Sequence, residues 1–197
     1  MKLSRMIAGV ALVAALVLGA MAWFAPGLLG GRSTTSVFEI GGPFVLASSK
    51  GGVVDSRSLA GKPYAVFFGF THCPEVCPTT LYDLSTTLAA LGDSARDFRV
   101  FFITVDPERD TVEAMKDYVS NFDPRIEALV PTPEQLGKLA SDFRVYYAKV
   151  PSSDGGYTMD HTATVFLFDG SGRLAGTLGY DEAPENRLAK LKRLLGS

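Results

Sequence analysis

From Tyr64 to Phe70 the chain reads Tyr-Ala-Val-Phe-Phe-Gly-Phe, an apolar run without a charge, and it breaks at once into Thr71-His72-Cys73-Pro74-Glu75-Val76-Cys77-Pro78. A run this short and this apolar suits a strand covered on both faces, as in the centre of an α/β sheet. Downstream, Leu81, Leu84, Leu88 and Leu91 recur at helical spacing and stop at Gly92, a helix C-terminal signal. The proline-bearing polar segment therefore occupies a strand-to-helix turn. In α/β sheets, binding sites gather at such carboxyl ends of strands.

The remaining pattern alternates in the same way. Phe44 to Ala47 and Val53 to Asp55 flank a Ser-Ser-Lys-Gly-Gly turn and read as a hairpin. Arg99 to Val105 reads as a second buried strand, followed by a helix from Thr111 to Phe122 with Val112, Met115 and Val119 inward. Asp110 with Glu113 three residues on has the form of a capping box, so Asp110 is expected to start that helix. Pro133 to Phe143 reads as a helix and Val145 to Val150 as a strand. A loop over Pro151 to Tyr157 then leads to a strand over Thr162 to Phe168, which His161 opens. Asp169-Gly170-Ser171-Gly172 turns that strand into Leu174 to Leu178, and Pro184 opens a terminal helix. The expected fold class is α/β: a mixed central sheet with helices on both faces.

Ahead of this domain stand Lys2 and Arg5, an uncharged run from Met6 to Phe24 extended by Leu28 and Leu29, and Ala25-Pro26-Gly27. A membrane span needs about 20 apolar residues, and this run meets that length, with Trp23 and Phe24 at the outer interface. The alternative is a cleavable signal segment, for which Ala20-Met21-Ala22 would serve as the cleavage site. The expected layout is residues 1–5 on the cytoplasmic side, 6–29 as a transmembrane anchor, 30–43 as a linker and 44–197 as the folded domain. A short n-region, unlike a mitochondrial transit peptide, points to a bacterial inner membrane with the domain in the periplasm. The formal charge of −2 and the dispersed Lys and Arg leave no footprint for nucleic acid.

Two cysteines in an exported domain large enough to build its own core are not scaffold staples. A disulfide closing so short a loop would remove little unfolded-state entropy. At a helix N-terminus, free backbone N–H groups lower a thiol pKa, which makes thiolate available for metal binding or disulfide exchange. The spacing is Cys-x-x-x-Cys rather than the Cys-x-x-Cys of thioredoxin-like redox motifs. Two thiolates suit soft metals such as Cu(I), and an added imidazole extends the site to Cu(II) or zinc. The chain holds two histidines, His72 and His161, and residue physics alone does not choose between them.

The segment Gly69 to Pro78, together with Thr104-Val105-Asp106-Pro107-Glu108-Arg109-Asp110-Thr111 and Asp160-His161-Thr162, resembles the SCO/SenC family of copper proteins. The resemblance implies a thioredoxin-like fold behind one N-terminal membrane helix. It also implies one copper held by Cys73, Cys77 and His161, destined for the binuclear copper A centre of cytochrome c oxidase. Expected partners are the copper-bearing subunit of that oxidase, a periplasmic thiol reductase and a copper donor protein. On this reading the chain is a metallochaperone rather than an enzyme. The alternative is an anchored thiol-disulfide oxidoreductase in which Cys73 and Cys77 are redox-active and keep the oxidase cysteines reduced. Asp160 is expected to orient His161 as a hydrogen-bond acceptor, and Asp106 to contribute to the rim of the site or to partner docking.

Overall fold

The computed structural model describes residues 40–153 and 155–196. The expected anchor, residues 6–29, and most of the linker lie outside the described residues. Among those described, no helix is long and apolar enough to cross a membrane.

The apolar run from Tyr64 forms strand β3 (Tyr64–Gly69), every residue of which is buried. It lies between β4 (Arg99–Thr104), parallel to it, and β8 (Val165–Phe168), antiparallel to it. β5 (Ile126–Val130) pairs parallel with β4. The hairpin β1 (Val45–Ser48) and β2 (Val53–Asp55) adds antiparallel to β5, and β9 (Leu174–Leu178) adds to β8. The result is a mixed seven-stranded sheet in the order β2-β1-β5-β4-β3-β8-β9. A central strand flanked on both edges has to be apolar on both faces, which is why its sequence does not alternate.

Neighbouring residues of β3 serve opposite faces. Phe67 stacks on Phe102, which in turn stacks on Tyr118 of helix α2 (Val112–Val119). Phe68 instead meets Phe143, the last residue of α3 (Pro133–Phe143), and Phe166. Helices thus cover both faces, as expected. Helix α1 (Val76–Leu91) sinks Leu81, Leu84 and Leu88 into the core. The terminal helix α4 (Pro184–Leu195) is clamped to it by the buried Arg187, whose guanidinium donates to Asp83 at 2.8 Å.

Three local expectations are corrected. Strand β5 was not read from the sequence because Glu127 interrupts an already short run. The structure buries that carboxylate and satisfies it with the Ser48 hydroxyl at 2.5 Å and an ion pair to Arg99. The expected strand over Val145–Val150 is β6 (Tyr147–Pro151), and the loop after it leads not directly to the β8 strand but to β7 (Tyr157–His161), which pairs antiparallel with β6 in a separate hairpin, so His161 ends a strand instead of opening one. Finally, Asp110 is not the cap of α2. Thr111 is, accepting from the Ala114 N–H at 3.2 Å, because Asp110 is fully buried and engaged elsewhere.

Candidate metal centre

Strand β3 delivers its last residue, Gly69, to the foot of α1. A Cβ at this position would stand 2.7 Å from the Cys77 Sγ and 2.6 Å from Phe102 Cε2, so only glycine lets the thiol approach the sheet. α1 begins at Val76, which places Cys77 inside its first turn and Pro78 third in the helix. Proline is tolerated there because first-turn N–H groups have no intrahelical partner. Cys77 is consequently buried, while Cys73, in the turn before the helix, is only half-buried.

The two thiols are not equivalent. Cys73 Sγ accepts a hydrogen bond from the Cys77 backbone N–H at 3.3 Å. Hydrogen bonding from the Cys77 thiol, outweighing the cost of burial, with further help from His161 and the helix-start amides, holds the Cys73 thiol down at about 4. The Cys77 thiol is pushed far up, because it serves as the donor to Cys73 and is itself buried. The pair therefore carries one accessible thiolate and one buried thiol.

His161 completes the set from the end of β7. Its Nε2 lies 3.6 Å from Cys77 Sγ, and its Nδ1 lies 3.1 Å from the Thr162 carbonyl. A carbonyl can only accept, so Nδ1 carries a hydrogen and Nε2 is left facing the sulfurs, as a donor to the Cys73 thiolate in the protonated ring and as a lone pair for a metal in the neutral one. Phe70 meets the imidazole edge-on at 5.7 Å and Phe67 at 6.5 Å, walling the ring on its inner side. The donor atoms of Cys73, Cys77 and His161 all lie within 4.8 Å of one another. Donors about 2.0–2.3 Å from a shared ion, the span of typical protein-metal bonds, fall in this range of separations, so the residues present fit a soft metal.

The other expected residues fall differently. His72 is exposed, with Nδ1 3.0 Å from the Thr71 hydroxyl, and is not among the donors that converge with the thiols. Asp160 does not orient His161: it is exposed on the outer face of β7, and the Thr162 carbonyl takes the role expected of it. Asp106 is not on the rim. It is 1% exposed, paired with Arg109 Nε at 2.5 Å, and accepts from the Tyr157 hydroxyl at 3.0 Å.

Sequence reasoning missed several supporting groups. Asp110 accepts from the Thr71 N–H at 3.0 Å, the Thr71 hydroxyl at 2.5 Å and the Thr104 hydroxyl at 2.6 Å, tying the cysteine turn to the end of β4. Tyr118 carries a buried hydroxyl without a hydrogen-bond partner, and burial together with the nearby cysteines raises its pKa. A signal for Arg109 and Asp110 was present in the Asp-Pro-Glu-Arg-Asp run, which no surface turn requires. Gly69 and Tyr118 carried none.

Comparison with known proteins agrees with this arrangement. The SCO1/SenC family model matches residues 32–196. An SCO2-like protein of Rickettsia prowazekii is 39% identical over 137 residues, covering 68% of this chain and 67% of that protein. The mitochondrial SCO1 homolog 1 of Arabidopsis thaliana is 40% identical over 129 residues, covering 65% of this chain, which thus spans only 39% of that longer protein. Among solved structures, copper-bound ScoI of Bradyrhizobium japonicum superposes with a TM-score of 0.73 at 48% identity, over 79% of this chain and 99% of that one. The chain belongs to the SCO1/SenC family, with its mixed α/β, thioredoxin-like fold.

Proposed function

We propose that this chain is a copper metallochaperone that holds one copper ion between Cys73, Cys77 and His161 and passes it to the binuclear copper A centre of cytochrome c oxidase. The observation that carries the reading is the convergence of two sulfurs and one imidazole nitrogen within 4.8 Å, at the carboxyl end of a central strand. Copper bound to the similar ScoI of Bradyrhizobium japonicum supports the choice of metal. Cys73 supplies an accessible thiolate, Cys77 a second sulfur from inside the helix, and His161 an oriented nitrogen. Thiolates secure Cu(I), and the imidazole widens the site to Cu(II). A half-buried Cys73 leaves one ligand open to exchange with an incoming thiolate of the acceptor. Because the dithiol must be reduced to accept metal, the reading includes a thiol reductase and a copper donor among the partners. The apolar run over residues 6–29 supports an inner-membrane anchor with the domain in the periplasm.

One observation favours a second reading. An accessible thiolate beside a buried thiol is also the attacking and resolving arrangement of a thiol-disulfide oxidoreductase, which needs no histidine. Purified full-length protein in detergent, reduced anaerobically and loaded with copper, separates the two. One retained copper with a thiolate-to-Cu(II) absorption band that disappears in His161→Ala supports the chaperone. No retained copper together with rapid exchange of a Cys73–Cys77 disulfide refutes it in favour of the oxidoreductase.

A further inference from the structure

The three donors come from two structural bodies. Cys73 and Cys77 belong to the β3–α1 turn of the main sheet, whereas His161 ends the separate β6–β7 hairpin. Tyr157, Met159 and His161 alternate onto one side of β7, which leaves Asp160 outside. Met159 is buried in the core, and His161 faces the thiols. At the far end, Tyr157 is held by several contacts from one residue of the β4–α2 turn. Arg109 donates from Nη1 to the Tyr157 carbonyl at 2.9 Å, and its guanidinium lies 3.8 Å from the centre of the Tyr157 ring. The Nε of the same side chain donates to the buried Asp106, which accepts from the Tyr157 hydroxyl at 3.0 Å. The guanidinium also lies 6.0 Å from the centre of Phe70, the ring that walls His161.

We infer that Arg109, seated on Asp106, is a positioning residue for the metal site: it clamps β7 through Tyr157 and thereby fixes where His161 presents its nitrogen. A hairpin that shares no ladder with the main sheet needs such an anchor, since the hydrogen bonds within it do not set its place against the cysteines. A guanidinium suits this role because its planar fork reaches an acid, a carbonyl and two ring faces at once. An ammonium cannot do this. The inference rests on the copper-site reading above, and it predicts that the thiolate half of the site is independent of Arg109 while the imidazole half is not.

The test uses full-length protein in detergent and the variants Arg109→Lys, Tyr157→Phe and Leu88→Ala, the last a core substitution in α1 that lowers stability away from the hairpin. Copper-free protein is read by backbone amide exchange, Cu(II)-loaded protein by nitrogen hyperfine coupling and by copper release to a chelator, and Cu(I)-loaded protein by release alone. In Arg109→Lys, exchange at residues 158–161 is expected to accelerate while β3 and β4 are unchanged. Nitrogen coupling should weaken and Cu(II) release should quicken about tenfold or more, the usual effect of losing a support behind a metal ligand. Cu(I) release should change little. Tyr157→Phe, which loses only the hydroxyl, should fall between Arg109→Lys and wild type, and Leu88→Ala should keep full nitrogen coupling. Unaltered hairpin exchange and nitrogen coupling in Arg109→Lys would overturn the inference, as would equal loss in Leu88→Ala. Should the wild type itself retain no copper, the functional reading fails, and the exchange arm alone decides the clamp.

Discussion

Replacing Gly69 by alanine tests how tightly the sheet and the metal site are joined. The added Cβ would stand 2.6 Å from Phe102 Cε2, 2.7 Å from Cys77 Sγ and 3.2 Å from Phe102 Cζ. Ordinary carbon contacts are about 3.5–4.0 Å, so roughly 1 Å must be found. The strand cannot retreat, because Gly69 pairs with Thr104 and the neighbouring Phe67 with Val165. Phe102 cannot turn aside either: it is fully buried between the rings of Phe67 and Tyr118. Cys77 is left to yield, which disturbs its 3.6 Å approach to His161. Overpacking of this kind costs about 1–3 kcal/mol. For a chain of this length each kcal/mol lowers the midpoint by about 2–4 °C, giving an expected fall of about 2–12 °C. Thermal unfolding of the copper-free protein by circular dichroism reads the stability, and copper titration reads the site. Gly137→Ala is the control, since its Cβ meets nothing within 4 Å inside α3, and alanine there should stabilise by about 0.5–1 kcal/mol. If Gly69→Ala melts within about 1 °C of wild type and binds copper as tightly, the claim that the thiol packs against a bare strand is wrong.

Reduced, metal-free protein should be carbamidomethylated first at Cys73, at a rate nearly constant from pH 8 to pH 6 and falling only as the pH approaches 4, where that thiolate gains its proton. Mass spectrometry of the alkylated peptides reads this, and a free-thiol profile, with a loss on the order of 100-fold between pH 8 and 6, would contradict it. Asp110→Asn leaves at most one carbonyl oxygen for the three donors that Thr71 and Thr104 now offer the carboxylate. Each donor left unpaired costs about 1–3 kcal/mol, so urea unfolding should show a lower midpoint at unchanged slope, and a loss under about 0.5 kcal/mol would mean the turn is not held there.

Much of this protein was legible in its residues because the decisive signals are local. An unbroken apolar run bounded by turn signals suits a doubly covered strand, leucines at helical spacing describe one face of α1, and the helix read over Pro133 to Phe143 is α3. The cysteine turn followed from its position between such elements, and the third ligand from resemblance. Local pattern failed where the stabilising partner is distant. β5 carries a glutamate that distant partners, Ser48, Arg99 and Lys50, make acceptable in the core. The alternating Tyr157–His161 segment is a strand because the Tyr147–Pro151 strand pairs with it. Asp110 reads as a helix cap and Asp106 as a rim residue, and Arg109 carries no role of its own, since nothing in the sequence says that Tyr157 and Thr71 will arrive beside them. The buried central strands, the amphipathic helices and which residues are chemically capable were thus properties of the sequence alone. Which sulfur is the thiolate, which ring nitrogen faces it and what holds them together were decided by the tertiary structure, because each depends on desolvation and hydrogen bonds between residues far apart in the chain.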